Sequence, residues 1–345
     1  MSLFRINKIA VLALALLAGV GAAGARDATQ PPPWLPGVNL DAGSFGPSGT
    51  RLGTDYTYPT TEEIDYFTEK GFKVFRIPFL AKRVLRSDAD GHPKPTVDFS
   101  ILTKLIDHAA SKDAMVILDM HDYGRTATGK LIGRDPGSVE EFAESWETIA
   151  ALLAGRQTLM FGLMNEPNEQ TAAEWLEGAN AAVAAIRRAG ARQLVLVPGS
   201  HWDTARTWTT TDNKKVMLGF QDPADNFAFE VHQYLDGNSS GTHAQVVTGS
   251  GSKRLTAFTE WARKHGVRGF LGEFGWADNA AAHKEGRALL CAMASNRDVW
   301  LGWTYWAAGP WWGDYMFSIE PANGEDRPQL KVLTQFLESN HTPQC

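Results

Sequence analysis

Several things are scarce in this sequence, and each shortage removes a class of protein. Basic residues are not in excess: 33 Lys and Arg against 39 Asp and Glu leave a formal charge of −6, which argues against a nucleic-acid partner. Cysteine is limited to Cys291 and Cys345, with no Cys-x-x-Cys pair, and no His-Glu-x-x-His or His-x-His motif offers a ready metal shell, so no metal is expected. Glycine and proline number 33 and 17 but follow no period, which removes collagen-like and low-complexity classes. Past residue 25 no long apolar stretch recurs, so no membrane association is expected of the mature chain. Charge is modest at 21% against 43% hydrophobic residues, the reverse of a disordered composition. What is plentiful is tryptophan: twelve are more than a core needs, and indole faces make good platforms for flat ligands.

Residues 1–25 read as a secretory signal peptide. Arg5 and Lys8 form a positive start, Ile9 to Val20 an unbroken small-apolar run, and Ala23-Gly24-Ala25 a small-x-small cleavage pattern. The run is too short to span a bilayer comfortably. The mature protein, 26–345, is therefore expected to be secreted or periplasmic. Disulfides are permitted there, so Cys291 and Cys345 are either bridged or two free thiols, and the sequence leaves both open. Asn238-Ser239-Ser240 and Asn340-His341-Thr342 match the glycosylation acceptor pattern.

The remaining chain alternates short apolar runs with amphipathic stretches. Strands are expected at 37–40, 73–79, 114–120, 159–166, 193–198, 227–234, 269–274 and 299–306. Helices are expected at 60–70, 100–113, 138–154, 171–189, 252–265, 279–296 and 328–339, while 203–220 has no clear helical period. Near-continuous apolar strands separated by helices imply a parallel sheet, and eight such units imply one α/β domain, a (β/α)8 TIM barrel. A doubly wound sheet is the alternative, but no glycine-rich fingerprint follows the first strand.

Each apolar run finishes on a residue that a buried strand does not tolerate unaided. Arg76 lies in FRIPF, His121 follows LDM, Asn165 and Glu166 end the fourth run, His232 and Tyr234 the sixth, Glu273 the seventh and Trp306 the eighth. Singly, Arg76 reads as an ion-pair partner, the histidines as satisfied core residues and Trp306 as packing. Together they converge on the C-terminal rim, where barrel enzymes carry their chemistry. Glu166 and Glu273, set among Leu163, Met164, Phe270 and Leu271, carry a desolvation cost that stability does not explain. Two acids across a barrel mouth suit glycosidic bond cleavage, one protonated to release the leaving oxygen and one ionised to attack the anomeric carbon. A serine triad lacks its nucleophile elbow.

GLMNEPN at 162–168 with LGEFG at 271–275 resembles glycoside hydrolase family 5, the cellulase family of retaining β-glycosidases. GVNL, FRIPF, LDMHDYGR, VHQYLDGNSSGTH and WTYWAAG fall in the same order, so the resemblance spans Pro36 to about Gly313 and is nearest to endo-β-1,4-glucanases. It implies that Glu166 is the acid/base and Glu273 the nucleophile. It also implies that Asn165 holds a sugar 2-hydroxyl, that Arg76 and Tyr234 bond the nucleophile, that His121 and His232 line the same subsite, and that Trp306 stacks beneath its ring. Trp202 and Trp311 are the further stacking candidates, ahead of Trp34, Trp208, Trp276 and Trp312. Asp122 and Trp276 depart from the residues common in the family. The implied activity needs no cofactor and takes a β-1,4-glucan as substrate; a monomer is expected, although the sequence does not reveal oligomeric state. A mannanase, a xyloglucanase or a non-catalytic carbohydrate-binding barrel are the alternatives. A retaining enzyme requires its carboxyls about 5–5.5 Å apart.

Overall fold

The computed structural model describes residues 34–338 and Cys345. The signal-peptide reading, the acceptor pattern at 340–342 and the last residue of the 328–339 helix fall outside them.

Eight parallel strands close into a barrel. They are β1 (Leu35–Leu40), β2 (Val74–Phe79), β3 (Met115–Met120), β4 (Leu159–Gly162), β5 (Val195–Pro198), β6 (Phe227–His232), β7 (Gly269–Glu273) and β8 (Trp300–Ala308). Each pairs with its sequence neighbour, and β8 returns to β1 through Leu35–Gly302 and Val38–Tyr305. The outer layer contains α1 (Thr61–Glu69), α2 (Val97–Ser111), α3 (Ser138–Leu153), α4 (Ala172–Arg188), α5 (Thr256–His265) and α6 (Ala280–Ala294). Local chemistry starts several of them: Thr60 with Glu63 and Thr171 with Glu174 form capping boxes, and the Asn279 side chain accepts from the Ala282 N–H.

The strands are apolar throughout because both faces are buried, but the two faces do different work. Outward residues such as Phe75, Ile77, Val116, Leu118, Val197 and Val231 join the large core beneath the helices. Inward, every strand gives one residue to a separate apolar floor: Leu35, Val74, Ile117, Met160, Leu196, Ala228, Phe270 and Leu301. Strand side chains alternate faces with period two. The next inward positions above Val74, Ile117, Ala228 and Phe270 are therefore Arg76, Asp119, Glu230 and Gly272. A polar layer sits directly on a dry floor. The space there is full, since a Cβ on Gly272 would lie 2.0 Å from the Glu230 Oε1.

Some boundaries differ from those expected. The fourth strand ends at Gly162 rather than 166, and residues 163–166 leave the barrel as a loop in which Glu166 takes φ 43°. The sixth strand ends at His232, two residues before Tyr234, and β8 runs past Trp306 to Ala308. The unit at 203–220 has only a turn of helix at Asn213–Val216 and a 3-10 turn at Met217–Gly219. The expected 252–265 helix is split, with Ser250–Lys253 ahead of α5, and 328–339 contains Leu330–Leu333 followed by a 3-10 turn. Among the described residues no helix is long and apolar enough to cross a membrane.

Cys291 on α6 is bonded to Cys345, closing a sequence separation of 54 residues. The loss of loop-closure entropy in the unfolded chain makes this bridge worth about 2–4 kcal/mol. Urea unfolding with and without reductant is expected to differ by that amount, and C291S is expected to abolish the difference.

Candidate active site

The centre of the barrel mouth is the Arg76 guanidinium, fully buried on β2. Its Nε donates to Glu230 Oε1 at 3.0 Å; Nη1 donates to Asn39 Oδ1 at 2.9 Å and Glu273 Oε1 at 3.1 Å. Nη2 donates to Asn165 Oδ1 at 2.9 Å and pairs with Asp119 Oδ1 at 3.1 Å. The planar fork thus meets groups from β1, β3, β6 and β7 and from the loop after β4. Only arginine has donors enough for that.

Glu273 ends β7. Its Oε1 accepts from Arg76 and its Oε2 from the Tyr234 hydroxyl at 2.8 Å. Burial pushes its carboxyl above the ordinary 4.5, while His232 and Arg76 pull it back and Glu166 raises it again. Tyr234 is itself held well above its usual range, by burial and by the Glu273 charge. Glu166 is more exposed, and its Oε1 meets His232 Nδ1 at 2.8 Å. An oxygen of Glu166, an oxygen of Glu273 and a nitrogen of His232 all lie within 4.8 Å of one another. Such a trio has the donor types of a metal site. Here the Arg76 charge already sits on Glu273, and His232 is held well above its usual value: burial opposes its charge, but Asp203, Glu273, Glu166 and Glu230 outweigh it. Those charges disfavour a cation.

His121 Nδ1 donates to Asp119 Oδ2 at 2.7 Å. Burial works against its charge, yet Asp119 and Asp41 raise it above the ordinary histidine value. Its ring stacks on Trp306 at 5.7 Å between centroids and 16° between planes. Asn165 is buried, its amide oxygen turned to Arg76.

Every residue expected at the rim except one is gathered here. A cavity of about 650 Å3 is lined by His121, Tyr123, Glu166, Tyr234, Glu273 and Trp306, among others. It shares Glu166 and Tyr234 with a neighbouring cavity of about 240 Å3 that also holds Trp202 and His232. On the other side it shares His121 and Tyr123 with one of about 560 Å3 containing Lys82, Asp122 and Arg125. The depression is therefore elongated, with the two glutamates near its middle. Trp202 is 53% exposed within it; Trp311 is 50% exposed but lines none of these cavities. Trp34, Trp208 and Trp276 are core residues, and Trp312 packs on Phe45 and Trp306. Asp122 turns back to accept the Ala81 N–H at 2.7 Å, and burial pushes its carboxyl up to about 7.

The sequence reasoning passed over Asn39, Asp119, Asp203 and Glu230, all fully or almost fully buried. The signal was present for two of them. Asp119 in VILDM and Glu230 in FAFEV are carboxylates inside apolar strands, the same anomaly that singled out Glu166 and Glu273.

Because Arg76 meets five buried acceptors and an ammonium has three donors, a lysine there strands at least two of them. R76K is expected to cost about 3–5 kcal/mol in chemical denaturation and to depress activity far more than binding. G272A is expected to break the Arg76–Glu230 contact by direct collision and to lower stability in the same assay.

The profile of "Cellulase (glycosyl hydrolase family 5)" matches residues 34–309. "Endo-beta-1,4-glucanase B" of Emericella nidulans is 38% identical over 279 residues, 79% of this chain and 81% of the relative. The crystal structure of an endo-beta-1,4-glucanase triple mutant from Xanthomonas axonopodis pv. citri superposes with TM-score 0.84 at 37% identity, covering 88% of this chain and 99% of that one. A Pseudomonas stutzeri endoglucanase in complex with cellobiose gives TM-score 0.80 at 36% identity, covering 88% and 92%. With four-fifths of its length matched by the family profile and relatives this similar along it, the chain belongs to glycoside hydrolase family 5, the cellulase family.

Proposed function

We propose that this protein is an exported endo-β-1,4-glucanase that cleaves internal bonds by double displacement, with Glu273 as nucleophile and Glu166 as acid/base. The observation that carries the mechanism is the approach of the two carboxyls, with oxygens within 4.8 Å. An approach this close supports retaining chemistry, whose carboxyls stand about 5–5.5 Å apart, over inverting chemistry, which holds them about 6.5–9.5 Å apart to admit a water. The elongated depression and the names of the relatives support an endo-acting glucanase. The disulfide supports export, because such bonds persist in oxidising compartments.

In the first step the Glu273 carboxylate attacks the anomeric carbon as the glycosidic bond breaks, and the departing oxygen takes the Glu166 proton. In the second, Glu166 as carboxylate takes a proton from water, whose oxygen attacks the same carbon and expels Glu273. Two inversions restore the starting configuration, and water is the sole co-reactant. Arg76 and Tyr234 keep Glu273 aimed and favour its anion. Asn165 faces the sugar 2-hydroxyl, Trp306 with His121 behind it forms the ring platform, and Trp202 stacks on the sugar next along the cleft.

On carboxymethylcellulose, E166Q is expected to lose about 10²–10⁴ in kcat/KM, and far less on a dinitrophenyl β-cellobioside whose leaving group needs no proton. E273Q is expected to be inactive on both. Equal loss by E166Q on both substrates, or a first-formed product of inverted configuration by NMR, overturns the mechanism. The nucleophile works as an anion, so activity is present above the Glu273 pKa and disappears as pH falls through it. Burial raises that pKa, so the acid limb of kcat/KM is expected above the ordinary glutamate value of 4.5. W202A is expected to raise KM about tenfold with a smaller change in kcat.

A further inference from the structure

The turn after β5 contains an acid that the mechanism above does not use. His201, Trp202 and Asp203 are three successive non-glycine residues in the left-handed region, with φ of 60°, 54° and 39°. This conformation turns Trp202 out over the cleft and Asp203 into the protein, where it is 0% exposed. The turn is tied both to the loop after β4 that carries Glu166 and to the end of β6 that carries His232. The Trp202 N–H donates to the Pro167 carbonyl, next to Glu166, and the Ala205 N–H donates to the His232 carbonyl.

Neither carboxyl oxygen of Asp203 has a hydrogen-bond partner. Its polar neighbour is His232 Nδ1 at 3.6 Å, the same atom that meets Glu166 Oε1 at 2.8 Å. The other acids around the ring are Glu273, with Oε2 at 3.5 Å from Nδ1, and Glu230, with Oε1 at 3.6 Å from Nε2. Arg76 already pairs with Glu230 and Glu273, Tyr234 donates to Glu273, and His121 is engaged by Asp119. His232 is thus the cation that faces Asp203.

An imidazolium hydrogen-bonded to a catalytic acid has a drawback: it stabilises the carboxylate and so favours early loss of the proton that the leaving group needs. A buried anion on the same nitrogen absorbs that charge. We propose that Asp203 is a positioning residue for the catalytic acid, a counter-ion to His232 that lets the ring orient Glu166 without stabilising it as the anion. The proposal rests on Glu166 being the acid. Burial raises Asp203 well above the usual carboxylate range and the His232 charge opposes that, so Asp203 carries its charge toward the alkaline side of the profile, where the Glu166 proton is at risk.

D203N removes the charge and keeps the shape. Glu230 and Glu273 remain beside His232, and Glu166, at 2.8 Å from Nδ1, is then the acid that takes the largest share of its charge. The alkaline limb of kcat/KM on soluble β-glucan is expected to move to lower pH by about half a unit or more, a loss of about threefold on that limb. On the dinitrophenyl β-cellobioside the same variant is expected to show no such movement, because no proton is donated. An unmoved limb on glucan, or an equal loss on both substrates at every pH, overturns the proposal, since either describes packing alone. If D203N does not fold, the ring nitrogens of His232 decide it in the wild type by 15N NMR. An imidazolium at about pH 6–7 is required, and a neutral ring there overturns it. E166Q run beside D203N separates the two ideas: equal loss by E166Q on both substrates removes the acid assignment, whatever D203N does.

Discussion

A single guanidinium holds the mouth of this barrel together. Arg76 is sealed from water, and a lone buried cation is costly, so the protein surrounds it with Glu230, Glu273, Asp119, Asn39 and Asn165. Counting β2 itself, these groups come from five strands and the loop after a sixth. The arrangement runs in both directions: the carboxylates need Arg76 as much as it needs them. Removing Arg76 would leave three buried carboxylates without their cation. The catalytic geometry is a by-product of that mutual need, because the same fork that neutralises Glu230 and Asp119 also fixes an oxygen of Glu273.

One cation does not balance the acids around it. His232 and His121 supply the rest, each pushed toward its charged form by carboxylates at its ring nitrogens. The mouth is therefore a layered charge system on a dry floor. Asp119 shows the balance most clearly: burial works to raise it, but Arg76 and His121 bring it below its ordinary value.

The rim above this layer is set by strained backbone. Tyr123, Glu166, His201, Trp202 and Asp203 all take positive φ, each at a cost of about 1–3 kcal/mol. Regular strand geometry points side chains only inward or outward. Left-handed turns give the third direction, up into the cleft, and they explain why Glu166 faces Glu273 although its strand ended four residues earlier.

The sequence by itself determined the barrel, because eight apolar runs with intervening helical periods have few other ways to bury two faces, and it determined Glu166 and Glu273 as charges out of place in such runs. It also carried, unread, the same anomaly at Asp119 and Glu230. Periodicity alone did not separate the floor from the layer above it, since both look apolar-facing until the strands are in register. Only the tertiary structure decided which acids share Arg76, that Trp202 lies in the cleft while Trp208 and Trp276 are core, that Cys291 meets Cys345, and that Asp203 stands behind His232. The physical reason is that these are long-range juxtapositions and left-handed turns. Local propensity records which residues are costly to bury, but not which partner, tens or hundreds of residues away, makes the burial tolerable.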